Sequence, residues 1–182
     1  MERISTIYLK LAVLALLSSL TVACSSSKAY SIQKEPTIEQ IIAESDQICL
    51  RKTLFVFSSR PCISIKGEKD NSSGIVQYYL RYEIGSFDVD LPLGTSIQLG
   101  ETWYTLKKSS TNYSETITVV SLLTPEVLTN LTNANHIEIS YTNRAKTENF
   151  VLSGSQKERL KEDFVRIQRL LESEKKMIIL KK

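Results

Sequence analysis

From Val76 to Ile84 the chain alternates without a break. Val76, Tyr78, Leu80, Tyr82 and Ile84 fall on one face, and Gln77, Tyr79, Arg81 and Glu83 fall on the other. Successive side chains of a strand point to opposite sides, so this pattern predicts a strand with one face on a core and one towards water. Half-buried strands of this kind belong to antiparallel sheets, because parallel sheets are covered on both faces. The rest of the chain must therefore supply strands that pair with this one and an apolar layer that covers it.

Several segments fit the first need. Thr53–Phe57 (TLFVF) and Cys62–Lys66 (CISIK) are short and rich in β-branched or aromatic residues, with Pro61 in the turn between them. Gly67–Gly74 reads as a polar loop. Phe87, Val89 and Leu91 alternate with Asp88 and Asp90 up to Pro92, which predicts another strand. Ser96–Leu99 and Thr102–Lys107 flank Gly100-Glu101, a two-residue hairpin signal. Lys108–Ser114 (KSSTNYS) reads as loop, and Thr116–Leu122 as an apolar strand. His136–Tyr141 and Glu148–Leu152 predict two strands joined across Asn143–Lys146.

Three helices are expected to accompany them. Thr37 and Gln40 have capping-box spacing ahead of Ile38, Ile41 and Ile42, which predicts a short helix over Ile38–Asp46. Thr124-Pro125 places an N-cap before a proline at the first helical position, followed by an apolar stripe of Val127, Leu128 and Leu131. Near the end, Ser155 and Glu158 form a second capping-box pattern. Leu160, Phe164, Ile167 and Leu171 then recur at helical spacing, with Glu162–Arg166 and Glu172–Lys176 as i,i+4 pairs. Met177–Leu180 suits either a continued helix or an edge strand. The expected fold is α+β: an antiparallel sheet of seven to nine strands forming a β-sandwich or half-barrel. A short N-terminal helix precedes it, a short helix interrupts it, and the amphipathic C-terminal helix packs on it. Residues 36–182 show no repeat or linker and read as one domain.

The first residues follow a different logic. Arg3 and Lys10 stand against Glu2, Leu11–Leu20 is apolar apart from two serines, and Thr21-Val22-Ala23-Cys24 follows. The order positive, apolar, small defines a secretory signal, and the apolar run is short of the ~20 residues a spanning helix needs. Leu20-Thr21-Val22-Ala23-Cys24 resembles a bacterial lipobox, with Thr21 where the strictest pattern has Leu. The resemblance covers about the first 27 residues and implies a lipoprotein signal peptide cleaved after Ala23. Cys24 would then carry a diacylglyceryl thioether and usually an N-acyl chain such as palmitate, and residues 24–35 would form a flexible tether. Two or more acyl chains hold a protein stably on a membrane. Ser25, in place of the Asp that marks inner-membrane retention, implies the outer membrane in a Gram-negative cell envelope.

With Cys24 lipidated, Cys49 and Cys62 remain as an even pair in an oxidising compartment, which reads as a disulfide. Closing a loop of that size contributes about 3 kcal/mol in the chain-entropy model. Two buried free thiols or a metal pair are the alternatives, and no second Cys or His cluster stands near to complete a metal site.

Chemical signatures are sparse. HExxH, CxxC, GxSxG, Walker and GxGxxG patterns are all missing from the sequence. The net charge of +3 is too small for a nucleic-acid binder. His136 with Glu138 would make a general base and its orienter, but both sit on the solvent face if Ile137 and Ile139 point inward. Asp88 and Asp90 share a face and suit either Ca²⁺ or plain solvent exposure. Tyr79, Trp103, Tyr104, Tyr113 and Tyr141 are candidates for a binding patch. The last 28 residues carry nine Lys or Arg against five acids, a pattern for anionic headgroups or for a solvated, ion-paired helix face. No residue is assigned to catalysis, a cofactor or a metal. The expectation is a membrane-anchored envelope lipoprotein that binds a protein partner or supports an assembly without being an enzyme. A periplasmic inhibitor or small-ligand carrier is the second class, and an envelope enzyme the third.

Metabolic labelling with a palmitate analogue should tag the wild-type protein and leave Cys24→Ala unlabelled. Equal labelling of both would remove the lipoprotein assignment.

Overall fold

A computed structural model describes residues 31–34, 40–50, 61–85 and 90–179. The segment expected as a signal peptide, Cys24, and the strands expected at Thr53–Phe57 and through Phe87, Asp88 and Val89 lie outside the described residues. The described strands are β1 (Ser31–Lys34), β2 (Gln40–Glu44), β3 (Ile48–Cys49), β4 (Cys62–Asp70), β5 (Val76–Gly85), β6 (Pro92–Leu99), β7 (Thr102–Thr105), β8 (Lys107–Tyr113), β9 (Thr116–Leu123), β10 (Ile137–Asn143) and β11 (Thr147–Val151). The helices are α1 (Pro125–Asn133) and α2 (Gly154–Ile179).

The alternating segment is β5, and it lies inside the larger of two antiparallel sheets. That sheet runs β1-β2-β4-β5-β9-β8, with β3 pairing the Cys62 end of β4. The smaller sheet runs β11-β10-β6-β7. The two pack face to face as an open sandwich rather than a closed barrel. Leu80, Tyr82 and Ile84 of β5, with Ile117 and Val119 of β9, meet Ile97, Ile137, Ile139 and Tyr141 of the smaller sheet. The rings of Tyr82 and Tyr141 stack across this layer with centroids 4.7 Å apart, and Thr95 donates to Ser121 at 2.7 Å within it.

The smaller sheet covers only part of the larger one. Over β2 and β4 the cover is α2. Leu160, Phe164, Ile167 and Leu171 are all buried, and Phe164 meets Tyr78 edge to face at 5.2 Å. A residue without a side chain allows this approach: a Cβ on Gly67 would lie 2.7 Å from both Ile167 Cγ2 and Leu171 Cδ1. Two positions on, Lys69 is buried and donates from Nζ to the Leu171 carbonyl at 2.9 Å. No described helix is long and apolar enough to cross a membrane.

The sheet corrects five sequence expectations. The helix expected over Ile38–Asp46 is strand β2 instead, with Ile41 and Ala43 inward and Gln40, Ile42 and Glu44 outward. So short a segment gains little as a lone helix, whereas β1 and β4 supply a full ladder on both sides. Ser31–Lys34, expected within the tether, is the edge strand β1. Gly67–Asp70, expected as loop, completes β4. Lys108–Ser114, expected as loop, is strand β8 as far as Tyr113, because β9 pairs with it. The helix cap lies two residues earlier than Ser155 and Glu158: the Ser153 amide donates to Gln156 Oε1, and the Gln156 amide donates to Ser153 Oγ. With these additions the described strands number eleven rather than seven to nine.

Other expectations that fall on the described residues stand. The Gly100-Glu101 hairpin, the helix capped by Thr124 and the Asn143–Lys146 connection are all present. The C-terminal helix continues through Met177 to Ile179. The Cys49–Cys62 disulfide joins residues directly opposite one another on β3 and β4.

Gly67→Ala should lower the urea midpoint by an amount equivalent to ~1–3 kcal/mol, from crowding alone. Phe164→Ala should cost ~3–5 kcal/mol. An unchanged midpoint in both variants would mean that α2 is not seated on the sheet.

Candidate functional site

One face of the larger sheet is taken up by the core, so period-two alternation delivers the opposite side chains to the outer face. Strand register sets which of them meet. One row across the strands reads Glu44, Lys66, Tyr79, Leu122 and Lys107. The next reads Ser64, Arg81, Val120 and Ser110. Glu68 faces Ile42 on one side and Gln77 on the other. These rows enclose a trough of about 330 Å³, with Asn112 at its far wall. The β8 wall is irregular, since its register slips between Lys108 and Ser110 and frees Ser109 from regular pairing.

The charges in the trough pair with one another. Arg81 forms an ion pair with Glu44, whose Oε1 also accepts from Ser64 Oγ at 3.1 Å. Lys66 Nζ lies 2.6 Å from Glu68 Oε1. All four side chains are half-buried, each retaining about a quarter of its exposure. Tyr79 forms the floor. Its ring is buried, and its hydroxyl donates to Gln77 Oε1 at 2.8 Å. Burial, then the nearby Glu68 carboxylate, raises the Tyr79 pKa above the usual phenol range, so the phenol stays protonated at neutral pH. A second, smaller hollow lined by Gln77, Tyr79, Lys107, Ser109 and Leu122 continues the trough along the sheet.

The site candidates read from sequence do not gather here. His136 precedes β10, with Nε2 3.6 Å from Glu138 Oε2. Ile137 and Ile139 are fully buried, so the pair sits on the outer face of the other sheet. Asp90 lies in a bend, and Asp88 is outside the described residues. The aromatics separate: Tyr141 is in the inter-sheet stack, Tyr104 accepts from Asn130 at 2.8 Å, and Trp103 and Tyr113 are exposed on different sheets. Only Tyr79 belongs to the trough. On α2 the cations alternate with acids, as in Lys161–Glu158 and Arg159–Asp163. A larger groove of about 640 Å³ runs along this helix, but all of its lining except Thr132 comes from α2.

Sequence reading missed Glu44, Lys66, Glu68, Ser110 and Asn112. The usable signal was the polar alternation of Ser64, Lys66 and Glu68, hidden by ending the strand at Lys66. No protein-family model, curated protein or solved structure matches this chain.

In an alkaline absorbance titration, Tyr79 and the part-buried Tyr78, whose pKa is raised by burial and then by Glu172, should ionise late, above the ordinary phenol range. The sign is fixed by linkage. Both phenols have raised folded-state pKa values, so their contribution to stability is complete below ~10 and is lost as pH rises through the folded values. Tyr79→Phe should delete a late-titrating phenol. Loss of an early one would place Tyr79 in open water.

Proposed function

We propose that this chain is a lipid-anchored protein of the cell envelope that works by binding, without catalysis, and that the trough on the outer face of its larger sheet is the binding surface. The observation that carries the reading is the set of mutually paired, half-buried charges held on a sheet whose other face is locked into the core. Such groups are oriented before a ligand arrives, so little ordering cost is left to binding. The volume lies near the lower end of the roughly 300–1,000 Å³ typical of ligand pockets. That favours a small ligand, or one narrow segment of a larger partner, over a broad flat protein interface. The Cys49–Cys62 bridge supports the same reading, since it fixes β3 against the end of β4. Anchoring at Cys24 rests on the signal architecture that precedes the domain.

The test is photo-crosslinking in the intact envelope. A photoreactive residue replacing Ser110 should give discrete adducts, and one replacing Glu138 on the other sheet should not. Adducts from Glu138 alone, or none from either position, would remove the trough as the working surface.

A further inference from the structure

The charge arrangement of the trough points to the chemical class of its ligand: we propose that it takes an uncharged, polyhydroxylated molecule, a saccharide. This rests on the binding reading above and gives it a ligand. The trough itself holds Glu44 and Glu68 against Lys66 and Arg81, two negative and two positive groups each engaged with a neighbour, while Lys107 at the end of the row lines the adjoining hollow. An anionic ligand that approached Arg81 or Lys66 would also meet the repelling carboxylate of Glu44 or Glu68 paired with it. Displacing that carboxylate would leave it half-buried without its partner. A cationic ligand faces the same obstacle from the other side. A ligand that offers hydroxyl dipoles needs no pair to break, because a carboxylate and a guanidinium each retain hydrogen-bonding capacity after pairing once.

The walls and floor agree with this chemistry. Ser109, Ser110 and Asn112 line the β8 side, and their side chains make no hydrogen bond to the described residues. They leave two hydroxyls and an amide, groups that donate and accept, facing the paired charges across the sheet. Guanidinium, carboxylate and amide are planar groups able to engage two adjacent hydroxyls at once. The floor mixes Val120 and Ile42 with the Tyr79 ring, an apolar strip against which the C–H face of a sugar ring can lie.

The experiment uses the full chain purified in detergent and saturation-transfer NMR. The probes are neutral oligosaccharides built from hexoses and from N-acetylhexosamines, a sulfated oligosaccharide of equal length, and inorganic polyphosphate. At least one neutral probe should receive saturation, and neither anionic probe should exceed it. Asn112→Ala should weaken that probe by about tenfold, the worth of one hydrogen bond. Ser110→Trp should abolish its signal by filling the trough, while Trp103→Ala on the other sheet should leave it unchanged. Thermal midpoints near wild type verify that the variants fold. Preference for an anionic probe, saturation of none, or full binding by Ser110→Trp would overturn the saccharide assignment. If saccharides fail while the crosslinker at Ser110 captures a protein, the ligand class falls and the binding reading stands. If both fail, both fall.

Discussion

The rings of Tyr82 and Tyr141 lie nearly parallel, 6° apart in plane, and neither side chain is exposed. One belongs to the larger sheet and the other to the smaller, so this contact fixes where the two layers meet. Two large aromatic faces in offset contact contribute more than their area alone. Phe150 leans on the same ring of Tyr82 at 6.4 Å and ties the edge strand β11 into the contact. Thr95 and Ser121 repeat the arrangement in polar form, each satisfying the other inside an otherwise apolar layer. A slip of β5 or β10 by one residue against its neighbours would turn Tyr82 or Tyr141 to the outside and bring polar residues into the core.

The outer face inherits its precision from that layer. Because Leu80, Tyr82 and Ile84 are held inward, Tyr79 and Arg81 have no choice but to face outward, and β4 and β9 present their partners at the same level. The ion pairs of the trough are thus a product of register more than of local sequence: Glu44 and Arg81 are 37 residues apart. Their modest worth as stabilising contacts matters less than their orientation.

The alternation in β5, the Gly100-Glu101 turn, the Thr124 cap and the Leu160–Leu171 stripe were readable because each is encoded in a short, unbroken pattern. Elements that depend on a distant partner were not. Gln40–Glu44 carries adjacent isoleucines that satisfy a helical stripe as well as a strand, and only β1 and β4 decide between them. KKSSTNY lacks alternation because β8 is an edge strand with nearly every residue exposed, so neither face demands apolar side chains. Lys69 hid the length of β4 by placing a charge where a core residue was expected, its ammonium satisfied by a helix carbonyl. The candidate site fell in the same blind spot: its residues come from β2, β4, β5, β8 and β9, and no segment contains more than a few of them.

Helix α2 is the last described element of the chain, and it covers strands from the first half. Lys69 and Leu171, which meet beneath it, are 102 residues apart. A chain that folds as it is made from its N-terminus must therefore wait for α2 before the apolar strip of β2 and β4 beneath that helix is shielded from water. The two sheets can pair while that strip is still bare, but the strip stays open until α2 has emerged. Contacts of such long range slow folding, and they lengthen the time during which an apolar surface is open to chaperones or to other unfinished chains. The helix thus acts as a completion step for the sandwich, the last of the described elements to close over its core.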